Sequence, residues 1–216
     1  WHLGTLTYKE VDANRGRPEN KHLFNPPSEP GYDDAFVTES KVPTFDPMSA
    51  PVSNNGRFWD YLPEYEERKT YGTYYWDING NKVTEELRGD DSRIVIDRTL
   101  PFIDRSLKQG KPFLATIWFH TPHLPCVAGP EHAALYSDLP LEERNYYGCI
   151  TAMDEQIERL VNFLKRKGIY ENTVIFFCSD NGPELNTPGT AGIFKGKKRS
   201  LYEGGIRVPA FMVGGK

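Results

Sequence analysis

The chain has 216 residues, 38% of them hydrophobic and 26% charged, and its 26 basic and 30 acidic side chains leave a net charge of −4. That length supports one large domain or two small ones, with a core that needs no disulfide or metal staple. An aromatic content of 13% argues against a disordered chain, and without a basic excess nothing points to a nucleic-acid partner. The longest strictly apolar run, Val174 to Cys178, falls far short of the roughly 20 residues of a membrane-spanning helix. Cys126, Cys149 and Cys178 are sparse and lack Cys-x-x-Cys spacing, so neither a disulfide framework nor a zinc ribbon is indicated. The chain opens on Trp1 without a charged-then-apolar leader, as a mature protein or a piece of a longer one would.

Residues 1–70 read as irregular, because Pro18, Pro26, Pro27, Pro30, Pro43, Pro47, Pro51 and Pro63 recur among Gly and Asn. Such a long segment without regular structure is expected to be functional or draped over a scaffold. Tyr71 to Glu85 predicts a hairpin turning at Asn79-Gly80-Asn81. Asp91-Ser92 can cap a helix carrying Ile94, Ile96, Leu100, Ile103 and Leu107 near one face, closed by Lys111-Pro112. Phe113 to Phe119 reads as a buried strand delivering the loop His120-Thr121-Pro122-His123. Leu141 to Lys167 is the clearest helix, ended by Gly168, with Lys165, Arg166 and Lys167 at the negative end of its dipole. Thr173 to Cys178 reads as a second buried strand, leading into Ser179-Asp180-Asn181-Gly182, and Gly205 to Val213 as a last extended stretch. Strands and helices in this order predict an α/β fold, in which polar clusters just beyond strand ends are candidate sites.

Asp180 and Asn181 offer two hard oxygen ligands of the kind calcium or magnesium takes, or else form an ordinary Asn-Gly turn. His120 and His123 lack the further ligands a zinc site wants; one imidazole can serve as a hydrogen-bond donor or general acid, or be a loop histidine satisfied by backbone. Lys195-Gly196-Lys197-Lys198-Arg199 is either a solvated loop or an anion site built on a lysine charge beside relaxed backbone.

In chain order, four segments resemble the type I sulfatases of the alkaline phosphatase superfamily. Trp1-His2-Leu3-Gly4 is similar to the end of that family's Gly-Lys-Trp-His-Leu-Gly motif, and Thr121-Pro122-His123-Leu124-Pro125 to its histidine loop. Ser179-Asp180-Asn181-Gly182-Pro183-Glu184 resembles its second metal-binding segment, and the run from Gly196 to Pro209, with Glu203-Gly204-Gly205-Ile206-Arg207, its lysine loop. The resemblance implies an alkaline phosphatase/sulfatase-like α/β fold, a large mixed sheet flanked by helices, with residues 1–216 as the central part of the catalytic domain. It implies a sulfuric ester hydrolase that uses calcium and formylglycine. His2 would contact the formylglycine hydrate and help remove its proton. His123 would bind the sulfate and protonate the leaving oxygen. Asp180 and Asn181 would ligate calcium. Lys198, four residues before Tyr202, would bind the sulfate, with Lys197 as the alternative register, and His120 would play a supporting part.

The family nucleophile, a Cys or Ser followed by x-Pro-x-Arg, is not matched here: no cysteine has that context, and Ser28 and Ser49 have the proline without the arginine. The family's Asp-Asp metal pair and the lysine before Trp-His are also unmatched. The expected whole is a longer protein whose upstream segment holds these groups. Its substrate would be a sulfated small molecule or carbohydrate. A carbohydrate is favoured because the Pro- and Tyr-rich stretch from Arg15 to Tyr75 can shape a sugar pocket or, equally, pack into the core. The resemblance implies a periplasmic or secreted location. Two rival readings are a phosphonate or phosphate-ester hydrolase of the same superfamily and a non-catalytic binding protein that keeps the fold. The 216-residue chain by itself is expected to release no sulfate from a sulfate ester, and turnover by the purified chain would overturn that expectation.

Overall fold

The computed structural model describes residues 5–12 and 17–215. The chain forms two compact units, Trp1–Gln156 and Ile157–Lys216. In the first are strands β1 (Phe36–Thr38), β2 (Ser49–Pro51), β3 (Arg68–Thr70), β4 (Tyr75–Asp77) and β5 (Lys82–Val83). Helices α1 (Asp91–Lys108) and α2 (Pro130–Ala134) follow, then α3 (Leu141–Arg166), within which the boundary falls. The second unit holds β6 (Ile175–Cys178), α4 (Glu203–Ile206) and β7 (Ala210–Val213).

The predicted hairpin is β4–β5, and local chemistry explains it. Asp77 Oδ1 accepts from the backbone N–H of Asn79 at 2.9 Å and of Asn81 at 2.8 Å, which turns the chain back on itself. Strand β1 adds to the other edge of β4, giving the antiparallel order β1-β4-β5 with Val37 opposite Trp76. A second antiparallel pair, β2–β3, sets Ala50 opposite Lys69.

The first seventy residues are not draped over a scaffold; they supply much of the core. Val42 packs with Tyr75, Leu87 and Ile94, while Ala50 and Trp59 pack with Val127. Phe58 joins Cys126 and Cys149 in a third cluster. Irregular backbone can be buried only if its polar groups find partners. Thr44 shows how this is done. Its N–H donates to the Pro125 carbonyl at 3.2 Å, its carbonyl accepts from Asp91 N–H at 3.0 Å, and its hydroxyl both donates to Val127 O and accepts from Val127 N–H, each at 2.8 Å.

Helix α1 starts one residue earlier than expected. Asp90 is the N-cap, its Oδ1 accepting from Arg93 N–H at 2.8 Å, and Asp91 and Ser92 are buried in the first turn. Helix α3 runs as predicted and ends where Gly168 takes φ +70°.

Two strand expectations change. Phe113 to Phe119 is not a buried strand: no ladder partner is assigned to it among the described residues, and its side chains alternate, with Phe113, Ala115, Ile117 and Phe119 half-buried and Leu114, Thr116 and Trp118 exposed. Strand β6 is likewise only half covered. It pairs antiparallel with β7, Phe177 stacking on Phe211 at 5.0 Å between ring centroids, while Phe176 stays exposed. An apolar run looks the same in sequence whether one or both of its faces are packed, so composition overstated the burial.

Burial pushes the Asp90 carboxyl up to about 7; the Arg93 N–H opposes this and the neighbouring Asp91 reinforces it. Between about pH 4 and 7 the folded state therefore holds a proton on Asp90 that the unfolded state has lost. The group favours folding more as pH falls through that window, and its stabilising contribution is lost as pH rises through 7. Asp90→Asn keeps a capping oxygen and removes the charge, so its melting temperature relative to the parent is expected to rise between pH 5 and pH 8. Parallel thermal melts at the two pH values check this.

Candidate functional site

The first unit contributes the histidine turn, residues 120–125. Its path is set from several sides: Thr44 at Pro125 and Val127, Arg57 O accepting from Cys126 N–H at 2.9 Å, and Asn145 Oδ1 accepting from Ala128 N–H at 2.7 Å. The Thr121–Pro122 and Leu124–Pro125 peptides are both cis. Within the turn, His123 N–H donates to the His120 carbonyl at 2.6 Å. The His123 ring, half-buried, donates from Nδ1 to the Leu124 carbonyl at 2.7 Å. A carbonyl can only accept, so Nδ1 carries the proton, and the lone pair of the neutral ring lies on Nε2.

His120 is different. It is buried, with Nδ1 2.8 Å from Asp91 Oδ2 and Nε2 2.9 Å from the Thr38 hydroxyl. The fully buried Asp91 takes a second hydrogen bond at Oδ1, from the Tyr75 hydroxyl. Burial, and then the Asp91 charge, push the Tyr75 phenol well above its ordinary value, so it stays a donor.

The second unit brings two of the sequence-predicted segments together. Gly182 N–H donates to Gly205 O at 2.8 Å, Lys198 N–H to Pro183 O at 3.0 Å, and Gly204 N–H to Lys195 O at 2.8 Å. The segment holding Asp180 and Asn181 is thereby clasped to the lysine loop, backbone against backbone. Only glycine allows the approach: a Cβ on Gly182 would stand 1.9 Å from Gly204 O, while within the lysine loop one on Gly204 would stand 2.1 Å from Gly196 O. Side chains reinforce the clasp, since Arg199 pairs with Glu184 at 2.8 Å. Burial alone would raise the Glu184 carboxyl, but the Leu185 N–H and the charges of Arg199 and Lys198 outweigh it and hold it below its ordinary value.

The lysines of this loop are therefore not equivalent. Lys195 sits over the Tyr202 ring at 4.1 Å, and the Lys197 carbonyl accepts from Ser200 N–H at 3.0 Å. Lys197 and Lys198 are both half-buried, and it is Lys198 whose charge acts on Glu184.

Asp180 is exposed and Asn181 half-buried. Their oxygens suit a hard cation, but among the described residues no group of three or more His, Cys, Asp or Glu gathers as a metal site. Calcium takes roughly 6–8 oxygens, so the pair fits as part of a donor set and not as the whole of one. His2 lies outside the described residues. His123 belongs to the first unit, and Asp180, Asn181, Lys197 and Lys198 to the second. Sequence reasoning gave no role to Asp91, Tyr75, Thr38, Glu184 or Arg199. Glu184 had a local signal, because it closes the same six-residue segment as Asp180. Asp91 looked like a helix cap, and nothing near it in sequence points to His120.

A family model described as sulfatase matches residues 9–216. Among curated proteins, the chain is 28% identical over 218 residues to the uncharacterized sulfatase YdeN of Escherichia coli (strain K12), covering 98% of this chain and 35% of that protein. It is 29% identical over 168 residues to the N-acetylgalactosamine-6-sulfatase of Canis lupus familiaris, covering 74% of this chain and 30% of that one. The chain thus spans about a third of the length of these relatives. Among solved structures, it matches Ps i-CgsB in complex with k-i-k-neocarrahexaose with a TM-score of 0.72 and 25% identity, over 89% of this chain and 43% of that one. The PsFucS1 sulfatase from Pseudoalteromonas sp. follows the same fold with a TM-score of 0.51 at 24% identity, over 66% of this chain and 29% of that one.

The clasp in the second unit makes a direct prediction. Gly182→Ala places a Cβ against the Gly204 carbonyl and is expected to spring the two loops apart, so that the amides of position 182 and Lys198 exchange with solvent roughly tenfold faster or more, as befits the loss of about 1 kcal/mol per hydrogen bond. Hydrogen–deuterium exchange read at those two amides checks this.

Proposed function

The chain belongs to the sulfatase family, and on that footing we propose that the intact protein hydrolyses a sulfate ester of a carbohydrate. The observation that carries the reading is the clasp between the Asp180–Glu184 segment and the lysine loop, in which Lys198 N–H bonds Pro183 O. A pair of hard oxygen donors and a lysine charge on adjoining backbone are the parts that recognition of a sulfate monoester calls for. The carbohydrate preference draws support from the likeness to an N-acetylgalactosamine-6-sulfatase and to a protein solved with a neocarrahexaose.

In this mechanism Lys198 is a point charge against the sulfuryl oxygens, where negative charge must be held while the ester bond breaks. His123 supplies the proton. With Nδ1–H tied to the Leu124 carbonyl, the ring gains and gives its exchangeable proton at Nε2, and it gives it to the oxygen that departs. Asp180 and Asn181 would hold a calcium ion, together with donors beyond the described residues, and His2 would work beside a formylglycine contributed from outside these 216 residues. When bound, these two groups supply charge stabilisation at the sulfuryl oxygens and an attacking oxygen, respectively.

Release of inorganic sulfate from sulfated oligosaccharides by the intact protein tests the reading. Lys198→Ala is expected to lower kcat/KM by roughly 10²–10³-fold, as removal of one charge-stabilising donor does elsewhere. Lys197→Ala should change it by less than about threefold, because in this reading its charge is not the one held against the sulfate. Chelation of divalent cations should abolish turnover. A protein that binds sulfated sugars but releases no sulfate, with or without added calcium, would overturn the proposal.

A further inference from the structure

Between the sheet and helix α1 lies a buried polar chain that the sulfatase mechanism does not use. Thr38 on β1, His120, Asp91 in the first turn of α1 and Tyr75 on β4 are joined by consecutive hydrogen bonds. All four residues are buried, Asp91 completely. A carboxylate can only accept, so His120 Nδ1–H donates to Asp91 Oδ2, and both Asp91 oxygens are engaged.

Filling space does not explain this arrangement. A buried ionic or polar set of this size is often no more stabilising than apolar side chains of equal volume, because desolvation offsets the attraction. What it adds is direction, since each bond fixes the orientation of the next group. Here the direction leads to one place. The His120 carbonyl accepts the His123 N–H at 2.6 Å, and Ser92, beside Asp91, meets the hydroxyl of Thr121 at 3.4 Å. The side chain of His120 is thus held by the core while its backbone holds the residue three positions on.

We propose that Asp91 and His120, locked by Tyr75 and Thr38, are positioning residues for His123: they fix the turn that presents its imidazole and do not touch the substrate. This rests on the reading of His123 as the residue that binds sulfate and protonates the leaving oxygen. The chain of contacts is Tyr75 to Asp91 to His120 side chain, then His120 backbone to His123, whose ring is pinned in turn by Leu124. A small rotation at His120 would move the His123 ring bodily, and misplacement of a reacting group by about 1 Å can cost on the order of 10²-fold in rate.

The test uses the intact protein with two readouts, sulfate release from a sulfated oligosaccharide and the ring ¹⁵N NMR signals of His123. Asp91→Asn leaves one acceptor for two donors. It is expected to lower kcat roughly 10–100-fold with KM changed less than about threefold, and to shift His123 from the Nδ1–H form toward the Nε2–H form. His120→Asn keeps a nitrogen near the Nδ1 position that can still reach Asp91, whereas His120→Gln reaches toward Thr38 instead. His120→Asn should therefore retain several-fold more activity and a more native His123 signal. Should Asp91→Asn fail to fold, Tyr75→Phe removes only the hydroxyl and is expected to show the same two changes at smaller amplitude. Folded variants with parental kcat would overturn the proposal, as would loss of kcat with an unaltered His123 signal. If the parent releases no sulfate while the variants still shift the His123 signal, the sulfatase reading fails and the positioning of His123 stands.

Discussion

Buried irregular backbone has to satisfy its own polar groups, and in this chain Thr44 meets that demand for three segments at once. Its N–H, carbonyl and hydroxyl reach Pro125, Asp91 and Val127. One residue, wholly buried, thus ties the proline-rich N-terminal loops to the start of α1 and to the far side of the histidine turn. A longer or branched apolar residue could fill the same volume, but it would leave the Val127 N–H and carbonyl without partners in a dry core, at about 1–3 kcal/mol for each. The path of the histidine turn depends on that arrangement before any chemistry does.

The two histidines three residues apart illustrate how environment divides labour. His120 is buried against a carboxylate and a hydroxyl, whereas the half-buried His123 has Nδ1 tied to a backbone carbonyl one residue on. Identical side chains thereby sit in different settings, one ring held at both nitrogens and the other, in the proposed reaction, exchanging its proton at Nε2. In the second unit the close approach rests on glycine: Gly182 lets the Asp180–Glu184 segment touch the lysine loop through its backbone, and Gly204 lets that loop close on itself.

Much of this was legible in the sequence where the cause is local. The hairpin followed from Asp77 and Asn79-Gly80-Asn81, whose turn chemistry lies within five residues. Helix α3 followed from its apolar period and the glycine that ends it. The start of α1 was ambiguous for a physical reason. Asp90, Asp91 and Ser92 are all able to cap, and the choice is made at a distance, by Thr44 accepting the Asp91 N–H and by His120 engaging the Asp91 side chain. The sulfatase motifs could be recognised because their residues are contiguous, whereas the partner of His120 lies 29 positions away and has no spacing rule to reveal it. The described residues do not reach His2, so that part of the candidate site stays a reading of sequence.

The segment from Phe113 to Phe119 has a consequence for handling the protein. It is uncharged, it has no assigned ladder partner among the described residues, and it exposes Leu114 and Trp118. Natural sheet edges blunt such stretches with lysine, proline or a bulge, and here only Lys111 and Pro112 stand guard, at one end. A charged residue in place of Leu114 or Trp118 would remove exposed apolar surface from this strip.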